Sequence, residues 1–132
     1  MHEIEEIMST DIVSVTPDTP AYHVIDLLVE NDITGIPVVD ETDRLVGIVT
    51  EKNVMGLLAD PDLAAENVRD FMTADVVCFD IDDDVIAVCE CLVKNHFRRV
   101  PILRSGKLVG IISRRDLIKY ILEPIGPRHQ FP

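Results

Sequence analysis

Displaced by 64 positions, this sequence falls back on itself. Ile4-Glu-Glu-Ile-Met8 lands on Val68-Arg-Asp-Phe-Met72, and the same offset pairs Asp11 with Asp75, Val13 with Val77, Leu28 with Leu92, Asn31 with Asn95 and Pro37 with Pro101. After a one-residue deletion the offset becomes 63, which sets Leu45-Val-Gly-Ile48 on Leu108-Val-Gly-Ile111 and Thr50 on Ser113. A period of this size means one supersecondary unit built twice. The copies span residues 4–62 and 63–122, and 123–132 is expected to be a loose tail.

Each copy reads in the order β-α-β-β-α, an α+β pattern. A short apolar strand, Ile12 to Val15 or Val76 to Phe79, leads through an acidic turn to a helix. Thr19 before Pro20 suits the start of the first helix, and Asp82 to Asp84 offer caps to its counterpart. Val24, Leu27 and Leu28, like Val88, Cys91 and Leu92, recur at helical spacing and give each helix an apolar stripe. Two β-rich runs follow in each copy, Ile36 to Val39 with Leu45 to Val49, and Val100 to Leu103 with Leu108 to Ile112. Ser105-Gly106 suits a tight hairpin, whereas Asp40 to Asp43 makes a longer polar loop. A second helix closes each copy, Glu51 to Leu58 and Arg114 to Leu122, the latter stopped by Pro124. A unit of about sixty residues has little core of its own. The copies are therefore expected to pack sheet to sheet about a pseudo-twofold axis, leaving symmetric clefts.

The composition narrows the function classes. With 47% hydrophobic and 27% charged residues, the 132-residue chain is globular and not disordered. The acidic start, Ile4-Glu-Glu-Ile, is unlike a signal peptide, and no apolar run reaches a membrane span, so a cytoplasmic location is expected. Cys78, Cys89 and Cys91 are an odd set that makes no disulfide framework; buried free thiols are expected, and no metal site. Neither a phosphate-binding Gly-x-x-x-x-Gly-Lys loop nor a Gly-x-Gly-x-x-Gly turn is present, and the four histidines are scattered, so no enzyme is expected. A net charge of −12 and 5% aromatic residues speak against nucleic-acid binding. One segment runs against that average. Between Lys94 and Lys119 stand eight basic residues and the single acid Asp116. Charges beyond about 8 Å are largely screened, so an anion here responds to the local surplus.

Val68-Arg-Asp-Phe-Met-Thr73, the Val100-Pro101 strand and Gly110-Ile-Ile-Ser-Arg-Arg-Asp116, in this order and doubled, resemble a tandem pair of cystathionine β-synthase (CBS) domains, a Bateman module, over about residues 4 to 122. The resemblance implies repeats associated through their sheets, and a regulatory module that binds AMP, ADP, ATP or S-adenosylmethionine. It also implies pairing of modules into a homodimer and an effector protein that reads the ligand state. With no catalytic domain left over, the chain looks like a stand-alone example, with no catalytic cofactor and no membrane partner.

Ser113 and Asp116 have the spacing of a capping box, which alone would be structural. In the resembled pattern the helix start also faces a phosphate, and the aspartate accepts from both ribose hydroxyls. The same pattern makes Arg98 and Arg99 phosphate ligands, assisted by Arg114, Arg115 and His96; the alternative is pairing with the acidic Asp80 to Asp84 turn. Adenine would lie against Val100 and Ile102 on one side and Val76 and Val77 on the other, residues that could equally be core. The first copy departs from this pattern. Its site would comprise Thr50, Asn53, Lys52, Ile36, Thr34, Ile12 and Val13, with Thr34-Gly35 in place of Arg98-Arg99 and Asn53 in place of Asp116. One acceptor oxygen holds a diol less well than two, so a strong and a weak site are expected. The competing reading is a dimerising scaffold with decayed nucleotide pockets, against which Ser113, Asp116, Arg98 and Arg99 stand together.

Overall fold

The computed structural model describes residues 3–60, 62 and 65–122. Pro124 and the tail 123–132 lie outside the described residues. The described chain forms two units, one of 13–60, 62, 65–77 and 105–108, the other of 3–12, 78–104 and 109–122.

In the first of these units, α2 (Ala21–Glu30) turns Val24 and Leu28 inward. Strand β1 (Gly35–Val39) is buried along its whole length and pairs antiparallel with β2 (Leu45–Thr50), from Gly35 opposite Thr50 to a bulge at Val38/Val39. The intervening loop is closed by Asp40, whose Oδ1 accepts from Thr42 N–H and Oγ1 at 2.8 Å and from Arg44 N–H at 3.0 Å. Helix α3 (Glu51–Ala59) follows β2 without a connecting residue. Val15, Val24, Leu28, Ile36, Val38, Val49, Val68 and Phe71 make the core.

The second unit repeats the plan. Strand β3 (Phe79–Asp80) lies parallel to β4 (Arg99–Arg104), with β5 (Lys107–Ser113) on the far side of β4. Helix α4 (Val85–Lys94) is capped by Asp84, whose Oδ1 accepts from Ile86 N–H at 2.9 Å. Helix α5 (Arg114–Leu122) leaves directly from β5. Ser105 and Gly106 have φ of 53° and 80°, the two left-handed positions of a tight hairpin turn. Ile81, Val88, Leu92, Val100, Ile102, Ile112 and Leu117 form this core together with Ile4 and Ile7 of α1 (Glu3–Ile7).

That last membership cuts across the sequence repeat. The segment leading the first copy packs with the second copy's strands: Ser9 bridges Ile111 through backbone bonds of 2.8 and 3.0 Å. The segment leading the second copy, with its 3-10 turn at Val68–Asp70, packs with the first copy's strands, and Thr73 bridges Ile48 at 2.8 and 2.9 Å. The repeated glycines explain the fit. A Cβ on Gly47 would stand 2.6 Å from Met72 Sδ, and one on Gly110 would collide with Met8. Each methionine lies across a strand where only glycine leaves room.

Four local expectations are corrected. Ile12 to Val15 is not a strand: only Val15 reaches β1, through a single parallel bridge to Val38, before Pro17 ends the pairing. In the second copy the paired residues are Phe79 and Asp80, not Val76 to Phe79. Helix α2 starts one residue later than Thr19 implies, because Thr19 Oγ1 turns back to accept from Thr16 N–H at 3.1 Å, leaving Pro20 as the cap. The three cysteines are free as expected, but half-buried instead of buried. Desolvation, reinforced by Asp83, pushes the Cys78 thiol above its usual pKa and keeps it protonated.

Candidate functional site

The junction of β5 and α5 gathers most of the residues predicted for the stronger site. Ser113 ends the strand, and its Oγ accepts from Asp116 N–H at 3.1 Å; Asp116 Oδ2 accepts in return from Ser113 N–H at 2.8 Å. The capping box is complete, as the spacing requires. It uses one carboxylate oxygen and leaves Oδ1 without a partner among the described residues. Both side chains are half-buried. Loop 95–98 is tied to the same place, since Arg114 N–H donates to Arg98 O at 3.2 Å.

The basic residues there divide into two kinds. Arg98 and Arg115 are exposed, Arg99 is half-buried, and none has a side-chain partner among the described residues. The Nε of Arg99 is even buried without a hydrogen bond, a state that polar groups rarely hold without an explanation. Arg114 is different. Its guanidinium is spent on main-chain carbonyls, Nε to Phe97 O at 3.1 Å and Nη2 to Leu92 O at 3.0 Å and Asn95 O at 3.1 Å. Its sequence-assigned role as a phosphate ligand therefore competes with a filled set of bonds. Arg104, from the same basic run, pairs with Glu5 at 3.3 Å. His96 is exposed on the loop.

The apolar candidates resolve toward packing. Val100 and Ile102 are 1% and 0% exposed, so their side chains belong to the core and offer no wall. Ile36 is likewise closed off in the other unit. Val76 is half-buried and Val77 exposed, both in the unit of the first copy's strands; Ile12 and Val13 are half-buried, Ile12 in the unit of the second copy's strands and Val13 in the other.

The equivalent junction of β2 and α3 is built alike and filled differently. Asn53 N–H donates to Thr50 Oγ1 at 3.3 Å, while Asn53 Oδ1 accepts from Thr50 N–H at 2.9 Å and Oγ1 at 3.0 Å. Its Nδ2 donates to Thr73 Oγ1 at 3.0 Å. Every polar atom of Asn53 is thus engaged, Lys52 is exposed, and Thr34 contributes its carbonyl to Glu51 N–H at 3.1 Å. Thr73 was invisible to sequence reasoning as part of this junction, because it comes from the segment leading the other copy.

Among the described residues no helix is long and apolar enough to cross a membrane, and no group of three metal-binding side chains occurs. The model for the CBS domain matches residues 4–60 and again 68–123. Inosine-5'-monophosphate dehydrogenase of Methanocaldococcus jannaschii is 34% identical over 116 residues, 87% of this chain and 23% of that enzyme. An uncharacterized protein of the same archaeon is 29% identical over 89% of this chain and 42% of its own length. The chain thus spans less than half of these two curated relatives. Among solved structures, CBSX2 in complex with AMP superposes with a TM-score of 0.82 at 24% identity, covering 95% of this chain and 99% of that one. The CBS domain pair of protein MJ0100, in complex with 5'-methylthioadenosine and S-adenosylmethionine, gives 0.75 at 24% identity over 89% and 98%. With one family model matched twice along nearly its whole length, this chain belongs to the CBS-domain family as a tandem pair.

Proposed function

We propose that the protein is a regulatory module that senses an adenosine ligand, AMP, ADP, ATP or S-adenosylmethionine, and passes its ligand state to a partner protein. The observation that carries this reading is the unspent oxygen of Asp116 beside unpartnered Arg98 and Arg99. A carboxylate with Oδ1 free can accept from ribose hydroxyls without surrendering its cap. Two free guanidinium groups and the positive end of α5 supply charge for phosphate, and Ser113 Oγ retains a hydroxyl proton to donate. The adenosine-containing ligands of the two solved CBS proteins support the choice of ligand class. At the other junction the engaged amide of Asn53 leaves nothing for a diol, so that site is weak or idle.

A second copy of the chain completes the module. Helices α2 and α3 enclose a groove of about 400 Å³ lined by Ile25, Val29, Val54 and Met55, and α4 and α5 enclose one of about 330 Å³ lined by Cys89, Val93, Leu117 and Ile118. Val29 and Val93 are 76% and 84% exposed. Two equivalent apolar faces on one chain suit a symmetric partner. These exposed grooves are also the observation that favours the rival scaffold function, in which the module pairs and binds no nucleotide.

Thermal denaturation with AMP, ATP and S-adenosylmethionine, each added separately, distinguishes the two. A ligand at 100 times its Kd should stabilise the folded state by about 2.7 kcal/mol. No shift with any of the three leaves the scaffold.

A further inference from the structure

The two copies end their first helices by different means. In α2, Asp32 adopts φ of 50°, and the chain turns back so that Ile33 N–H donates to Leu28 O at 3.1 Å. This is a left-handed backbone cap; the side-chain bond beside it, Asn31 Nδ2 to Leu27 O at 2.9 Å, is shared by the other copy as Asn95 Nδ2 to Cys91 O at 2.9 Å. In α4 the carbonyl equivalent to that of Leu28 is Leu92 O, and it accepts instead from Arg114 Nη2. Asn95 is extended, with φ of −116° and ψ of 165°, and His96, the counterpart of Asp32, is not left-handed. The residue that takes this carbonyl has no counterpart in the first copy. Position 114 is arginine where the first copy has Glu51, which has no side-chain donor to offer a carbonyl.

We propose that Arg114 is a positioning residue: by taking the carbonyls of Leu92, Asn95 and Phe97 it keeps loop 95–98 open and sets Arg98 and Arg99 at the start of α5, beside Asp116. It binds no phosphate itself. The loop that turns back in the first copy carries Thr34 and Gly35, and the loop held by Arg114 carries the two free guanidinium groups, so cap and phosphate chemistry change together. The proposal rests on the adenosine-ligand reading above and adds how the phosphate side is held.

The test uses calorimetry with AMP and with adenosine, on the unmodified chain and on Arg114→Ala and Arg114→Lys. Amide hydrogen exchange over residues 95–99 is followed in the ligand-free proteins. In Arg114→Ala, exchange in the loop should accelerate before any ligand is added, and AMP should weaken about 10-fold or more while adenosine is unchanged. Arg114→Lys, which keeps one charged donor group, should fall between, and it carries the comparison if the alanine variant does not fold. Equal AMP affinity in variant and parent overturns the proposal, as does the same loss for AMP and adenosine, which would mark a general structural role. Weaker AMP binding with unaltered ligand-free exchange overturns it too, by making Arg114 a direct phosphate ligand. If the unmodified chain binds neither AMP nor adenosine, the proposal fails, and the adenosine-ligand reading fails with it only when ATP and S-adenosylmethionine also leave the melt unshifted; binding by the parent with unresponsive variants fails the proposal alone.

Discussion

Asp116 and Asn53 occupy the same place in the repeat and differ in what their side chains have left to give. Both complete a capping box; the first was legible from Ser113-x-x-Asp116, and the structure adds its twin at Thr50 and Asn53. Only the aspartate keeps an uncommitted oxygen. Asp116→Asn therefore separates fold from function. Asn53 already fills the same third-residue place in the other capping box, so stability should stay within about 0.5 kcal/mol, whereas ligand affinity should fall roughly 10- to 100-fold, the loss of hydrogen bonds to a charged group. Calorimetry and thermal melts on the one variant check both halves; a retained affinity would remove Asp116 from the site. Arg114 shows the limit of reading residues singly. A run of arginines suggests one shared task, but the use of three guanidinium nitrogen bonds for main-chain carbonyls depends on where α4 ends, which no spacing encodes.

At the scale of elements, hydrophobic period and turn chemistry located the two long helices of each copy and both hairpins, and missed the short helix Glu3–Ile7, the 3-10 turn Val68–Asp70 and the extent of the strands that form little ladder. A segment such as Ile12 to Val15 has the right composition, yet β pairing depends on a partner edge that composition does not specify. The glycines of the two Leu-Val-Gly-Ile runs carry the complementary lesson. They read as sheet residues, and their reason is the methionine that crosses each one. Gly110→Ala should cost about 1 to 3 kcal/mol through overpacking against Met8, measurable as a lower denaturant midpoint; an unchanged midpoint would mean that Met8 moves aside freely. Acid should loosen two loops by a common mechanism. Hydrogen bonds from Thr42 and Arg44 hold the Asp40 carboxyl below its ordinary value, and bonds from Asn67 and Glu66 do the same for Asp70. A carboxyl with a depressed folded pKa contributes stability above its unfolded value of 3.8 and loses it as pH falls through the folded one. The stability curve of Asp70→Asn should accordingly be flatter than the parent's below about pH 4; parallel curves would contradict the assignment.

The whole molecule is a doubled sequence whose packing does not follow the doubling. The repeat made the α+β architecture and the tandem plan legible, but Ile4 and Ile7 serve one core and Val68 and Phe71 the other, each with the strands of the opposite copy. Near-identical apolar patterns fit either sheet, and only tertiary packing chooses. The exposed helical grooves make a prediction at this scale: Val93→Asp should shift the chain toward monomer in analytical ultracentrifugation, because it sets a charge in an apolar face 84% exposed in the single chain. A mass equal to one chain in the parent itself would end the pairing claim. On the proposed function the twin junctions are unequal, and the one holding Asp116 takes an adenosine ligand. Calorimetry with AMP should return a stoichiometry of one ligand per chain, abolished at the same concentrations by Asp116→Ala; two equivalent ligands per chain, or one that survives the substitution, would refute the inequality of the junctions.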